Sequence, residues 1–157
     1  DTSNSYTLSA SVTNLLSFAG GHHEVSFGIR RWFFEDYDQN AASVGWMGSY
    51  GSMGLWDASI SVGMDVPGQM ALSNALSLGY TNIILDRPIR FSVSRTSYDG
   101  GRFFGARRAD ERYAIGIDTR IDEHIRVGAS VVSYRSTADV YAYDSVSVSL
   151  NLTGFRF

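Results

Sequence analysis

The chain has 157 residues, 13 basic and 16 acidic, for a formal net charge of −3, and it has no cysteine. Every basic residue is an arginine. This balance excludes the basic groove of a nucleic-acid binder, and the missing thiols exclude disulfide staples and thiolate metal sites. No run of 18 apolar residues exists, so no spanning helix is expected. The length suits one domain over residues 1–157, and it suits about eight membrane strands with their connections.

In chain order, residues 5–13 alternate Tyr6, Leu8, Ala10 and Val12 against Thr7, Ser9, Ser11 and Thr13, the period of two that marks a strand. The glycines of NLLSFAGGHH predict a loop. In residues 24–35, Val25, Phe27 and Ile29 oppose Ser26, Gly28 and Arg30, and the doubled Arg30-Arg31 predicts a bulge or strand end before Trp32. EDYDQNAA reads as a connection. Residues 43–66 read as one long kinked strand or two short ones, with Trp56, Ala58, Ile60, Val62 and Met64 opposite Asp57, Ser59, Ser61, Gly63 and Asp65.

Pro67 and Gly68 suit the centre of a type II turn. Leu72, Asn74, Leu76, Leu78 and Tyr80 then oppose small residues, LDRP turns the chain, and Ile89, Phe91 and Val93 oppose Arg90, Ser92 and Ser94. The glycines and arginines of YDGGRFFGARRADE predict the longest loop. Tyr113, Ile115, Ile117 and Ile121 precede a DEH turn, and Ile125, Val127, Ala129 and Val131 follow it. In the last segment Val146, Val148, Leu150 and Leu152 face Ser145, Ser147, Ser149, Asn151 and Thr153. Gly154 then breaks the phase, and a bulge there would turn Phe155 and Phe157 to the side of the valines.

Strands at this spacing with no helical period read as an all-β barrel or sandwich. The aliphatic faces are uncharged and the opposite faces carry small neutral residues, which suits lipid outside and a lumen inside. The expected fold is therefore an antiparallel up-and-down transmembrane β-barrel, and the preference for even strand numbers takes residues 43–66 as one strand and the total as eight. Counting back from Phe157 with the C-terminus periplasmic, the DEH and LDRP turns fall on the periplasmic side and the Arg102–Arg108 stretch falls outside. The first residues, DTSNSY, carry no charged n-region or apolar h-region, so an exported protein would already have lost its signal peptide.

Trp46, Tyr50, Trp56, Tyr80, Phe91 and Tyr113 lie near strand ends on the apolar face, as headgroup-level girdles do; the alternative is that they pack a soluble core. Among the small inward residues stand Asp57, Asp65, Arg90, Asp118, Arg120 and Arg126, of both signs. They read as a lumen ion-pair network, or as the lining of a hydrated path for small polar solutes. Arg95, Arg102, Arg107 and Arg108 are candidate contacts to lipopolysaccharide phosphates or another anionic partner. His22, His23 and Glu24 form the one catalytic or zinc constellation to weigh, and the spacing supplies no third ligand. No catalytic residue, metal or cofactor is expected.

An apolar terminal strand ending in Phe157, with Phe155 before it, resembles the C-terminal signal of bacterial outer-membrane β-barrels, which their assembly machinery reads. Arg107-Arg108-Ala-Asp110-Glu-Arg112-Tyr113, followed by Ser136-Thr-Ala-Asp139-Val-Tyr141-Ala-Tyr143-Asp144 and the terminal strand, resembles the closing hairpins of surface lipoprotein assembly modifier barrels, to which strands of polysaccharide-secretion barrels are related. The resemblance implies the Gram-negative outer membrane, lipid and lipopolysaccharide surroundings, and an export or surface-display role with a protein partner in a larger complex. The expected function is structural or surface-interacting and non-enzymatic. The alternatives are a narrow pore or translocation component, a soluble barrel with an apolar ligand inside, and an outer-membrane lipid-modifying enzyme.

Overall fold

A computed structural model describes residues 6–18, 20–49, 51–122 and 125–152. They form one antiparallel sheet of nine strands in sequence order: β1 (Tyr6–Phe18), β2 (Gly21–Phe33), β3 (Asp38–Ser49), β4 (Leu55–Gly63), β5 (Ala71–Ile84), β6 (Arg87–Phe103), β7 (Ala106–Arg120), β8 (Ile125–Ser136) and β9 (Tyr143–Leu152). Each strand pairs with its neighbours in the chain, so every connection is local and β1 and β9 are left as the two edges. Short 3-10 turns at Gly51–Met53 and Asp139–Tyr141 are the only helical pieces among the described residues.

The expected count of eight is corrected to nine, because residues 43–66 are parts of two strands. Ser43 to Ser49 finish β3, the 3-10 turn reverses the chain, and Leu55 begins β4. Two expected loops are also strands. The NLLSFAGGHH region is the close of β1 and the start of β2, with pairs as far as Phe18↔Gly21. The YDGGRFFGARRADE region is the ends of β6 and β7, joined at Phe104 and Gly105, with one irregularity between Asp99 and Gly101. The bulge expected at Arg30-Arg31 does not form. The register runs unbroken from Ser9↔Arg30 to Thr7↔Trp32, with Arg30 and Arg31 on opposite faces.

The register stacks the alternating pattern into two continuous faces. One row on the aliphatic face reads Asn14, Val25, Trp46, Ala58, Leu78, Val93, Ile115, Val131 and Val146 across all nine strands. Its back-face neighbour reads Thr13, Ser26, Gly45, Ser59, Ser77, Ser94, Ala114, Val132 and Ser145. The aliphatic residues are exposed, Leu8 by 67%, Ile29 by 67% and Ile115 by 65%, whereas most back-face serines are half-buried. The back face, with its small and less exposed side chains, is called the inner face here and the aliphatic face the outer. Among the described residues only Ala41, Ala71 and Val132 are buried hydrophobics, so the sheet encloses no apolar core.

The connections after β1, β3, β5 and β7 lie at the end where β9 finishes, called proximal here; those after β2, β4, β6 and β8 lie at the distal end. The distal segments 34–37, 64–70 and 137–142 include the longest connection in the chain. The 64–70 segment holds the type II turn expected at Pro67-Gly68, with Gly68 at φ 80° and the Gln69 N–H donating to the Val66 carbonyl at 3.1 Å. At the proximal end β5 and β6 meet in a two-residue turn in which Leu85 (φ 52°) and Asp86 (φ 59°) are both left-handed, the type I′ geometry that matches strand twist.

Candidate functional site: the inner wall and its two ends

At its proximal end the inner face carries a row of charges. Asp57 on β4 and Arg90 on β6 form an ion pair at 2.8 Å across β5. The strand between them supplies Gly79, where a Cβ would lie 2.3 Å from an Asp57 carboxylate oxygen and 2.7 Å from the Arg90 guanidinium. Only a residue without a side chain lets this pair close. Arg90 is register partner to Asp118 on β7, and Asp118 lies 3.7 Å from Arg126 on β8. The signs therefore alternate along four strands, and all four side chains are partly open, from 24% for Asp57 to 62% for Arg126. Arg120 turns its Nε to the Asp122 carbonyl at 2.9 Å. Asp65 is not brought to this row: it sits in the distal 64–70 segment, beside Gly100 and near enough to Arg107 to act on its charge.

The distal end is built differently. Asp110 on β7 is 1% exposed and accepts from four groups: Arg108 Nε at 3.0 Å and a second guanidinium nitrogen at 2.5 Å, the Tyr134 hydroxyl and the Ser136 hydroxyl, each at 2.5 Å. Tyr141 covers the Arg108 guanidinium at 3.6 Å from its ring centre. Burial pushes the Asp110 carboxyl up, but the donors from Arg108, Ser136 and Tyr134 outweigh it and hold it below the usual carboxylate range. Burial first, and the bond to Asp110 second, push the Tyr134 phenol up to about 12. From sequence Asp110 has a place in the Arg107–Tyr113 stretch but no role, since Tyr134 and Ser136 lie 24 and 26 residues along the chain and only the β7–β8 register brings them in.

Gln39, 3% exposed, is a second distal keystone. Its amide donates to the carbonyls of Leu72 at 2.6 Å and Met64 at 2.9 Å and accepts from the Leu72 N–H at 3.0 Å, which ties β3 to β5 past the end of β4. Gly63 closes β4 beneath it, where a Cβ would meet the Leu72 carbonyl at 2.0 Å.

On the outer face Trp56, Tyr80 and Phe91 are successive register partners, with the Trp56 and Tyr80 rings 4.4 Å apart. Tyr113 stands toward the distal end beside Arg95, and Tyr50 lies outside the described residues. Of the four arginines expected to meet anions, Arg95 is ion-paired to Glu111, Arg107 to Asp99 and Arg108 to Asp110; Arg102 forms no ion pair among the described residues. His22 and His23 fall on opposite faces. His22 Nδ1 is 3.3 Å from the Ser17 hydroxyl, while His23 stacks on Trp46, so the two rings do not converge on one substrate or metal. Phe155 and Phe157, with Gly154, lie outside the described residues.

Fold and site together define an all-β antiparallel meander with an aliphatic outer face and a polar, charge-bearing inner face. Comparison with protein-family models, curated proteins and solved structures finds no match to this chain.

Proposed function

We propose that this sheet is a transmembrane wall of the bacterial outer membrane, with its C-terminus periplasmic, and that its role is structural or surface-interacting rather than enzymatic. The observation that carries this reading is the aliphatic belt. It is exposed across nine strands with almost nothing buried behind it, whereas soluble monomers rarely expose apolar patches beyond about 300–600 Å². In water such a sheet has no core to stand on; in a bilayer the same belt meets acyl chains and every strand interior satisfies its own backbone. The ladders also exceed the requirement for crossing. β6 has 17 residues and β7 has 15, where a tilted strand needs about 9–11, so their distal ends project beyond the belt. Purification tests the reading: the protein should need detergent and should migrate differently on a gel before and after boiling. A chain that stays monodisperse without detergent refutes it.

A second reading, a component of a passage, is favoured by the strand count. In a nine-stranded meander β1 and β9 run in the same direction, so joining them directly would require a parallel seam in an otherwise antiparallel sheet. An odd number of further strands closes the circle with antiparallel seams throughout and yields the even number usual for bacterial barrels. The inner charges, partly open, then line a wet lumen. Planar-bilayer conductance of the assembled protein is the test. Arg126→Glu should shift cation-over-anion selectivity, and unchanged selectivity removes the passage reading while leaving the membrane wall standing.

A further inference from the structure

We propose that the inner wall passes small anions in preference to cations, with Arg30 and Arg112 setting the preference. The inference rests on the passage reading, which puts water and solute against this face. It follows from how the fold distributes its charges.

The chain as a whole is acidic, with a net charge of −3. Its inner strand positions are not. Arg30, Arg90, Arg108, Arg112, Arg120 and Arg126 share the face of the serine row, where the register places only Glu24, Asp57, Asp110 and Asp118 among carboxylates. The wall is therefore basic on balance. Carboxylates gather instead in the connections, whose charged residues among those described are Glu35, Asp36, Asp65, Asp86, Asp122 and Asp139, all exposed.

Pairing decides which inner charges a passing ion meets. Arg90 is held by Asp57 at 2.8 Å and Arg108 by Asp110 at 2.5 Å, and opposite charges that close act together as a dipole of short reach. Arg30 and Arg112 form no ion pair among the described residues. The Arg30 guanidinium stands 5.5 Å from the centre of the Trp32 ring, and Arg112 lies between Thr96 and Tyr134 in a row that is otherwise uncharged. Glu24 shares β2 with Arg30, but the six residues between them span about 20 Å of strand. The connection carboxylates sit at the two mouths, and a screening length of about 8 Å at physiological salt keeps them from cancelling charges along the wall. A low-dielectric wall focuses the field of what remains, and arginine linings are a known way to favour anions in a pore.

The reversal potential of the assembled protein in a planar bilayer, across a potassium chloride gradient, reads the preference. The parent protein should favour chloride. Arg30→Gln and Arg112→Gln should each lower the chloride-to-potassium permeability ratio by about two- to fivefold, the scale of one unit charge acting across about 4 Å of water. Arg112→Lys keeps the charge and should keep the ratio. The preference should also fade as salt is raised toward about 1 M, where the screening length falls to about 3 Å. A parent that favours potassium, an unchanged ratio in either glutamine variant, or an Asp139→Asn protein whose ratio moves more than theirs overturns the proposal. The failures separate on one sample. Selectivity that responds to Arg126→Glu but not to Arg30→Gln or Arg112→Gln removes the role of these two arginines alone, whereas a protein that keeps its gel shift on boiling yet carries no current removes the passage reading as well.

Discussion

Two aspartate–arginine clusters occupy the same inner face, and they do opposite things with the same chemistry. At the proximal end Asp57, Arg90, Asp118 and Arg126 are spread over four strands and remain partly solvated. At the distal end Asp110 is sealed, with Arg108, Tyr134 and Ser136 spending their donors on it. Exposure decides the outcome. Open pairs contribute little to stability and leave their charges available, whereas a sealed carboxylate holds strands together because leaving it unpaired is costly.

Asp110→Ala should strike this contrast hardest. It removes the acceptor of four hydrogen bonds and leaves Arg108 without its partner, for a loss of about 3–5 kcal/mol in urea unfolding from detergent. The same knot carries a pH signature. The Asp110 carboxyl is depressed on folding, so its contribution is complete above the usual carboxylate range and is lost as acid passes through the folded value. The Tyr134 phenol is raised, so its contribution is complete below the ordinary phenol value of 10.0 and is lost as the pH climbs toward about 12. Stability measured against pH should therefore decline at both extremes in the parent protein and less in Asp110→Ala.

Gly79→Ala comes next. The methyl group would overlap both partners of the Asp57–Arg90 pair, whose flexible ends must swing apart, and a cost of about 1 kcal/mol is expected from the displaced side chains. A calibration outside both clusters is Leu85→Asn. A leucine in left-handed backbone is strained by roughly 1–2 kcal/mol, asparagine tolerates that conformation better, and a gain of about 1 kcal/mol should follow. Arg90→Gln should move stability least, by less than about 1 kcal/mol, because its pair is nearly half exposed. A larger loss would mean that the proximal row is also a structural knot, and the contrast between the ends would fail.

The alternation from Tyr6 to Thr13, from Trp56 to Gly63 and from Ser145 to Leu152 was legible because a period of two survives any tertiary context that keeps one face apolar. The strand ends were harder. Gly100, Gly101 and Gly105 made the β6–β7 tip look like a loop, but one belongs to a local irregularity and another to a two-residue turn, both of which keep the ladder intact. The Phe104-Gly105 dipeptide between paired arginine-bearing segments was the available hairpin signal. The proximal charges could be placed on one face from parity alone. Which of them touch depends on shear and on Gly79, and Asp65 shares the parity of Asp57 yet lies beyond the end of β4 in the distal connection.

Because Gln39 carries the joint between β3 and β5, the 64–70 connection is relieved of most sheet hydrogen bonding, apart from the Met64 N–H to the Asn40 carbonyl. The chain there can lengthen without breaking a ladder. An epitope inserted after Pro67 is thus carried on a tether whose anchorage belongs to a different strand, which makes this the natural place to graft a reporter.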